Sequence, residues 1–193
     1  MKYSPSAGLL GVLLTAGSLV SGTLGTQCCR AEDAAPKTFT IGGAFQLNSP
    51  ETWVSREPRT RIVEHEFAVP KAEGDDQDGR VTVMGAGGGV AANIDRWYQQ
   101  FSQPDGSNTK ERAKVEKKEI GGQSVTIVDL SGTYTDRPAP MAPGVERPNY
   151  RMLGAIIETK QNGNHFIKFY GPERTVTANA EAFRKMLDSI RQK

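Results

Sequence analysis

Residues 151–170 read RMLGAIIETKQNGNHFIKFY. Two apolar runs, Arg151 to Thr159 and His165 to Tyr170, flank Asn162-Gly163. Asn-Gly between apolar runs is the strongest short hairpin signal, because a tight turn of the right twist needs positive φ at its central residues. The stretch therefore predicts two neighbouring antiparallel strands.

The segments before it repeat the pattern. Lys114 to Ile120 is charged enough for an edge strand, Gly121-Gly122 supplies a two-residue turn, and Gln123 to Leu130 carries Val125, Ile127 and Val128 as a more buried partner. From Arg61 to Val69 the chain alternates, with Val63, His65, Phe67 and Val69 on one face and Ile62, Glu64, Glu66 and Ala68 on the other, which predicts a half-buried strand. Lys71 to Gly79 reads as an acidic turn, and Arg80 to Met84 as the strand after it. Phe39 to Leu47 predicts an opening strand, broken at Pro50-Glu51-Thr52-Trp53.

Two helices complete the pattern. Ile94, Trp97, Tyr98 and Phe101 fall at i, i+3, i+4 and i+7, one apolar stripe, after the glycine run Gly85 to Gly89 and before Gln103-Pro104-Asp105-Gly106. Phe183, Met186, Leu187 and Ile190 repeat that stripe in a helix expected from about Thr177 to Ile190, with Gly171-Pro172 marking the end of the strand before it. Strands joined by hairpins with only two main helices predict an α+β class, an antiparallel β-sheet packed by helices, rather than an alternating parallel fold.

The amino terminus reads differently. Lys2 precedes a stretch from Ala7 to Gly25 that is apolar or small throughout, no acid occurs before Glu32, and Cys29-Arg30-Ala31 fits a small-x-small cleavage site. Residues 1–31 are expected to be an export signal peptide, residues 32–38 a flexible leader and residues 39–193 one domain. The mature form is then periplasmic or secreted, without a membrane span, since Gly11, Thr15, Gly17, Ser18, Ser21 and Gly22 interrupt the apolar stretch. The alternative is a lipoprotein anchored at Cys28, against which stands Gln27 where a small residue is wanted. Cleavage would remove Lys2 and Arg30 and no acid from a chain of 24 basic and 22 acidic side chains, leaving a neutral domain with no basic footprint for nucleic acid.

Phe-x-Leu-x-x-Pro-x-x-Trp at Phe45 to Trp53, the central amphipathic helix after a glycine turn and the last helix after Gly-Pro together resemble the PsbP-like fold, an α/β/α sandwich. Photosystem extrinsic proteins, a Ran-binding nuclear import factor and many exported bacterial proteins of unassigned activity share it. Asn93 to Trp97, Gly132-Thr133-Tyr134 and Phe166 to Pro172 look most like the last group. The resemblance covers about residues 39–191 and implies a fold. Its motifs name no catalytic residue.

Several patterns invite a chemical reading. Gly87-Gly88-Gly89-Val90-Ala91-Ala92 satisfies G-x-G-x-x-A, but the second parallel strand with its acidic end is missing, so a packing turn is expected. His65 and His165 are the two histidines, and strand alternation turns Glu64 and Glu66 away from His65, so neither a metal nor any other cofactor is expected. There is no G-x-S-x-G elbow, although a hydrolase site could be assembled from dispersed residues, for example around His165. Thr135 to Asn149 contains Pro138, Pro140, Pro143 and Pro148 and exceeds an ordinary hairpin loop. With Tyr134, Met141, Val145 and Tyr150 it is the candidate partner-binding loop. The function expected is a non-catalytic binding or scaffold module of the bacterial cell envelope, its partner an envelope protein; the alternative is a small extracytoplasmic hydrolase.

Overall fold

The computed structural model describes residues 37–137, 142–159 and 163–193. The expected signal peptide and most of the leader lie outside them, and β1 (Lys37–Ile41) already includes Lys37 and Thr38, which the leader was expected to hold. The run read as one opening strand is a hairpin of β1 and β2 (Phe45–Ser49), because Gly42 and Gly43 take φ of 53° and 69° and turn the chain back.

After β2 come β3 (Val54–Arg56), β4 (His65–Val69), β5 (Gly79–Ala86), α1 (Val90–Tyr98) and β6 (Phe101–Ser102). The one-turn α2 (Thr109–Arg112) precedes β7 (Lys114–Ile120), β8 (Gln123–Asp136), β9 (Val145–Thr159) and β10 (Gly163–Pro172). The chain then forms α3 (Glu173–Ala178), α4 (Ala180–Asp188) and β11 (Arg191–Gln192). An eight-stranded sheet runs β3-β4-β5-β10-β9-β8-β6, with β7 also on β8, and a three-stranded sheet runs β1-β2-β11. Every pairing is antiparallel. The class is α+β, as the hairpins imply.

Strand alternation divides the core in two. Val81, Val83, Leu153, Ile157, Ile167 and Phe169 pack with Ile41 and Leu47 from the small sheet, Trp53 from the turn after β2, and Phe183, Met186 and Leu187 from α4. Val128, Leu130, Met152, Ile156 and Phe166 point the other way, under Ile94 and Trp97 of α1.

Several boundaries differ from the expected ones. α1 ends at Tyr98, and Phe101, read as its fourth apolar residue, belongs to β6 opposite Tyr134, where it stays in the same core cluster. The last helix starts earlier and is broken at Asn179, whose side chain donates to the Thr175 carbonyl and accepts from Trp53 Nε1. The strand expected from Arg61 shortens to His65–Val69, since only from His65 does the chain pair with β5 in register.

The largest correction concerns the proline-rich segment. β8 and β9 continue into both ends of it, pairing Tyr134 with Arg147, Thr135 with Glu146 and Asp136 with Val145, so the two ends of the expected loop form a tongue of paired strands. Pro148 is tolerated because the register slips between Gly132 and Tyr134, leaving Pro148 and Asn149 outside the ladder. Asn149 takes φ of 56° there.

Candidate functional site

β9 pairs with β10 only as far as Tyr150, opposite Pro172, so among the described residues Val145 to Arg147 pairs with β8 alone. Beside this tongue lies a cleft of about 480 Å³, whose floor is Glu66, Ala68, Arg80 and Tyr170 and whose sides carry Arg56 and Glu57 on one hand and Asp136 and Tyr150 on the other. Register makes the floor: Glu66 lies opposite Thr82, and Ala68 opposite Arg80.

Arg80 organises the cleft. Its Nε and Nη2 donate to the two Glu66 oxygens at 2.9 and 2.8 Å, and Nη1 donates to the Tyr170 hydroxyl at 2.7 Å. Burial opposes the arginine's charge, but Glu66 and Tyr170 together outweigh it and hold its pKa above the ordinary value; the bonds from Arg80 hold the Glu66 carboxyl below its own. Glu66 is 5% exposed, so the residue expected on a half-solvated strand face is a buried, paired carboxylate.

Behind the cleft stands an aromatic group. Tyr134 and Tyr150 stack with centroids 6.0 Å apart and rings inclined by 7°, and Tyr134 also meets Tyr170 at 5.2 Å. The Lys168 amine lies between the rings of Tyr134 and Tyr170, 4.8 and 4.6 Å from their centroids, and donates to Gln100 Oε1 and the Tyr134 hydroxyl. Part of the Lys168 stem stays exposed, yet its amine is enclosed, and burial first and Arg80 second push its pKa down to about 7. Burial pushes the Tyr134, Tyr150 and Tyr170 hydroxyls up, so all three are neutral hydrogen-bonding groups at physiological pH. The Tyr150 hydroxyl donates to Gln77 Oε1.

Of the residues expected in the partner-binding loop, Tyr134 and Tyr150 are thus brought together, at the base of the tongue. Val145 opens β9 and is 47% exposed; Pro143 is exposed just before it. Pro138 and Met141 lie outside the described residues.

No protein-family model matches the sequence, and no curated protein matches it. Solved structures do. Its solved neighbours include proteins of the PsbP-like fold. One is the cyanobacterial PsbP of Synechocystis, 13% identical, with a TM-score of 0.49 over 89% of this chain and 100% of that one. Another is LpqN of Mycobacterium tuberculosis, a protein involved in cell envelope biogenesis, 8% identical, with a TM-score of 0.48 over 84% and 87%. A third is the Ran-binding protein Mog1p of Saccharomyces cerevisiae, 10% identical, with a TM-score of 0.47 over 81% and 94%.

The remaining candidates sit elsewhere in this α+β arrangement. His165 is 3% exposed beneath Gly42, its Nδ1 is 3.8 Å from Glu64, and neither ring nitrogen has a hydrogen-bond partner among the described residues. His65 Nε2 is 2.7 Å from the Thr40 carbonyl, and Glu66 is committed to Arg80, so Glu64-His65-Glu66 disperses to three different partners. Among the described residues no three His, Cys, Asp or Glu side chains gather at metal distance. Likewise, among them no helix is long and apolar enough to cross a membrane. In the glycine turn, Asn93 Nδ2 donates to the carbonyls of Gly87 and Gly89 and fills the start of α1. Sequence reading missed Arg80, Lys168 and Tyr170. The signal for two of them was present: Phe166, Lys168 and Tyr170 alternate on one strand face, a lysine between two aromatics.

Proposed function

We propose that the domain is a non-catalytic binding module of the cell envelope, which holds a protein partner along the β8–β9 tongue and in the cleft beside it. The observation that carries this reading is the tongue itself: among the described residues its β9 edge pairs with no β10 residue from Val145 to Asn149, and it borders a cleft lined by Tyr150, Tyr170 and charges of both signs. A half-paired strand offers backbone groups to an extended segment of a partner, and rigid tyrosines provide contact area at low entropic cost. Residues 1–31 direct export in this reading, with cleavage after Ala31.

The test uses a photo-crosslinking residue at Val145 in the native envelope, compared with the same protein carrying Tyr150→Ala. A defined partner crosslinked by the first and lost from the second, with circular dichroism unchanged, supports the reading. Crosslinks that Tyr150→Ala leaves intact overturn it. Turnover in a hydrolase screen that His165→Ala abolishes in a folded protein would establish the hydrolase alternative. Intact mass of envelope-derived protein tests export: retention of residues 1–31 removes that part, and a diacylglyceryl adduct on Cys28 makes it a lipoprotein.

A further inference from the structure

Lys168 is the meeting point of three elements. Its amine contacts Gln100 just after α1, Tyr134 at the base of the tongue on β8, and Tyr170 beside it on β10. The charged and titratable groups around it are Arg80 from β5, Tyr134 and Asp136 from β8 and, within the same aromatic stack, Tyr150 from β9. Among the described residues no carboxylate bonds to the amine, for Glu66 is bound to Arg80, and Asp136 favours its charge only at longer range.

An ammonium in this position has exchanged bulk water for two rings, an amide oxygen and a hydroxyl, and it stands near a guanidinium. The rings reward the charge only modestly, while enclosure and Arg80 oppose it. Moving Tyr134 and Tyr150 away would return water to the amine. A proton therefore binds more tightly when the tongue is lifted than when it is seated, and by linkage the proton must favour lifting.

We infer that a proton on Lys168 loosens the β8–β9 tongue, so that acidification through neutrality unseats the Tyr134–Tyr150 pair and alkaline conditions hold it against the sheet. Resting on the binding reading above, this makes capture at the tongue weaker on the acidic side. The amine's lowered pKa, about 7, places the change in the range an exported domain meets.

Hydrogen exchange read by mass spectrometry on peptides covering 131–136 and 145–150, corrected for intrinsic rates, tests the gate without any partner. Protection is expected to fall about tenfold between about pH 8.5 and about pH 6 in the wild type. Lys168→Met should keep the tongue protected at both values, and Lys168→Arg, charged throughout, should leave it loose at both. A wild-type tongue with no pH dependence, or the same dependence in Lys168→Met, overturns the inference. Crosslinking from Val145 at the two pH values separates the two claims: a pH-gated tongue with no partner at either value counts against the binding reading alone.

Discussion

The indole of Trp97 stands over Gly154 so closely that a Cβ on the glycine would lie 2.9 Å from both Cε3 and Cη2 of the ring. Helix α1 can approach β9 only because that strand position carries no side chain. Gly154→Ala is therefore expected to cost roughly 1–3 kcal/mol by overpacking, measured by denaturant unfolding. In a Trp97→Ala background the same change should cost much less, since the two positions share one space.

Trp97 is 7% exposed and packs edge-on against Phe166. Trp97→Ala should lower unfolding free energy by about 3–5 kcal/mol. A loss below about 1 kcal/mol would show that α1 does not seal the second core cluster.

Removing Arg80 strands Glu66, whose other basic neighbour, Arg59, is 3.7 Å away and largely exposed. Arg80→Met should cost about 3–5 kcal/mol at neutral pH, and adding Glu66→Leu should recover most of it. The acid limb follows from the sign of the shift. Because Glu66 is held below its ordinary value of 4.5, its contribution is complete above that value and disappears as pH falls through the lowered one. Glu66→Gln should flatten this part of the stability profile, as thermal melts across acidic pH would reveal.

At the slip in the tongue, Asn149 holds a left-handed backbone at φ of 56°. Asn149→Val should destabilise by about 1–2 kcal/mol, whereas Asn149→Gly should stay within about 0.5 kcal/mol of the wild type. Equal effects of the two would mean that the slip does not require this backbone.

The hairpins announced themselves where a turn dipeptide stood between alternating runs, as at Gly121-Gly122, whose φ values are 56° and 74°. The same dipeptide at Gly42-Gly43 was obscured because the residues around it, Phe39 to Leu47, are apolar on both sides and read as one strand. Prolines concealed the tongue: a missing donor argues against a strand, yet Pro148 falls where no ladder bond is made. Tyr134 and Tyr150 were legible as neighbours of that segment. Their stacking was not, because it depends on a one-residue difference in register between β8 and β9. Arg80 and Glu66 escaped for a similar reason, since only the pairing of β4 with β5 brings them together.

The small sheet closes through β11, where Arg191 and Gln192 pair with Gln46 and Phe45 and the Lys193 amide donates to the Ala44 carbonyl. One edge of β2 thus waits for the final residues of the chain, and Ile190 and α4 arrive with them to cover Ile41 and Leu47. A ribosome or translocation pore that releases this chain amino end first releases its first core strands long before the segment that shields them. Contacts of such separation are slow to form. During that interval the β1–β2 hairpin leaves Phe39, Ile41, Phe45 and Leu47 uncovered, the kind of exposed apolar surface that invites aggregation.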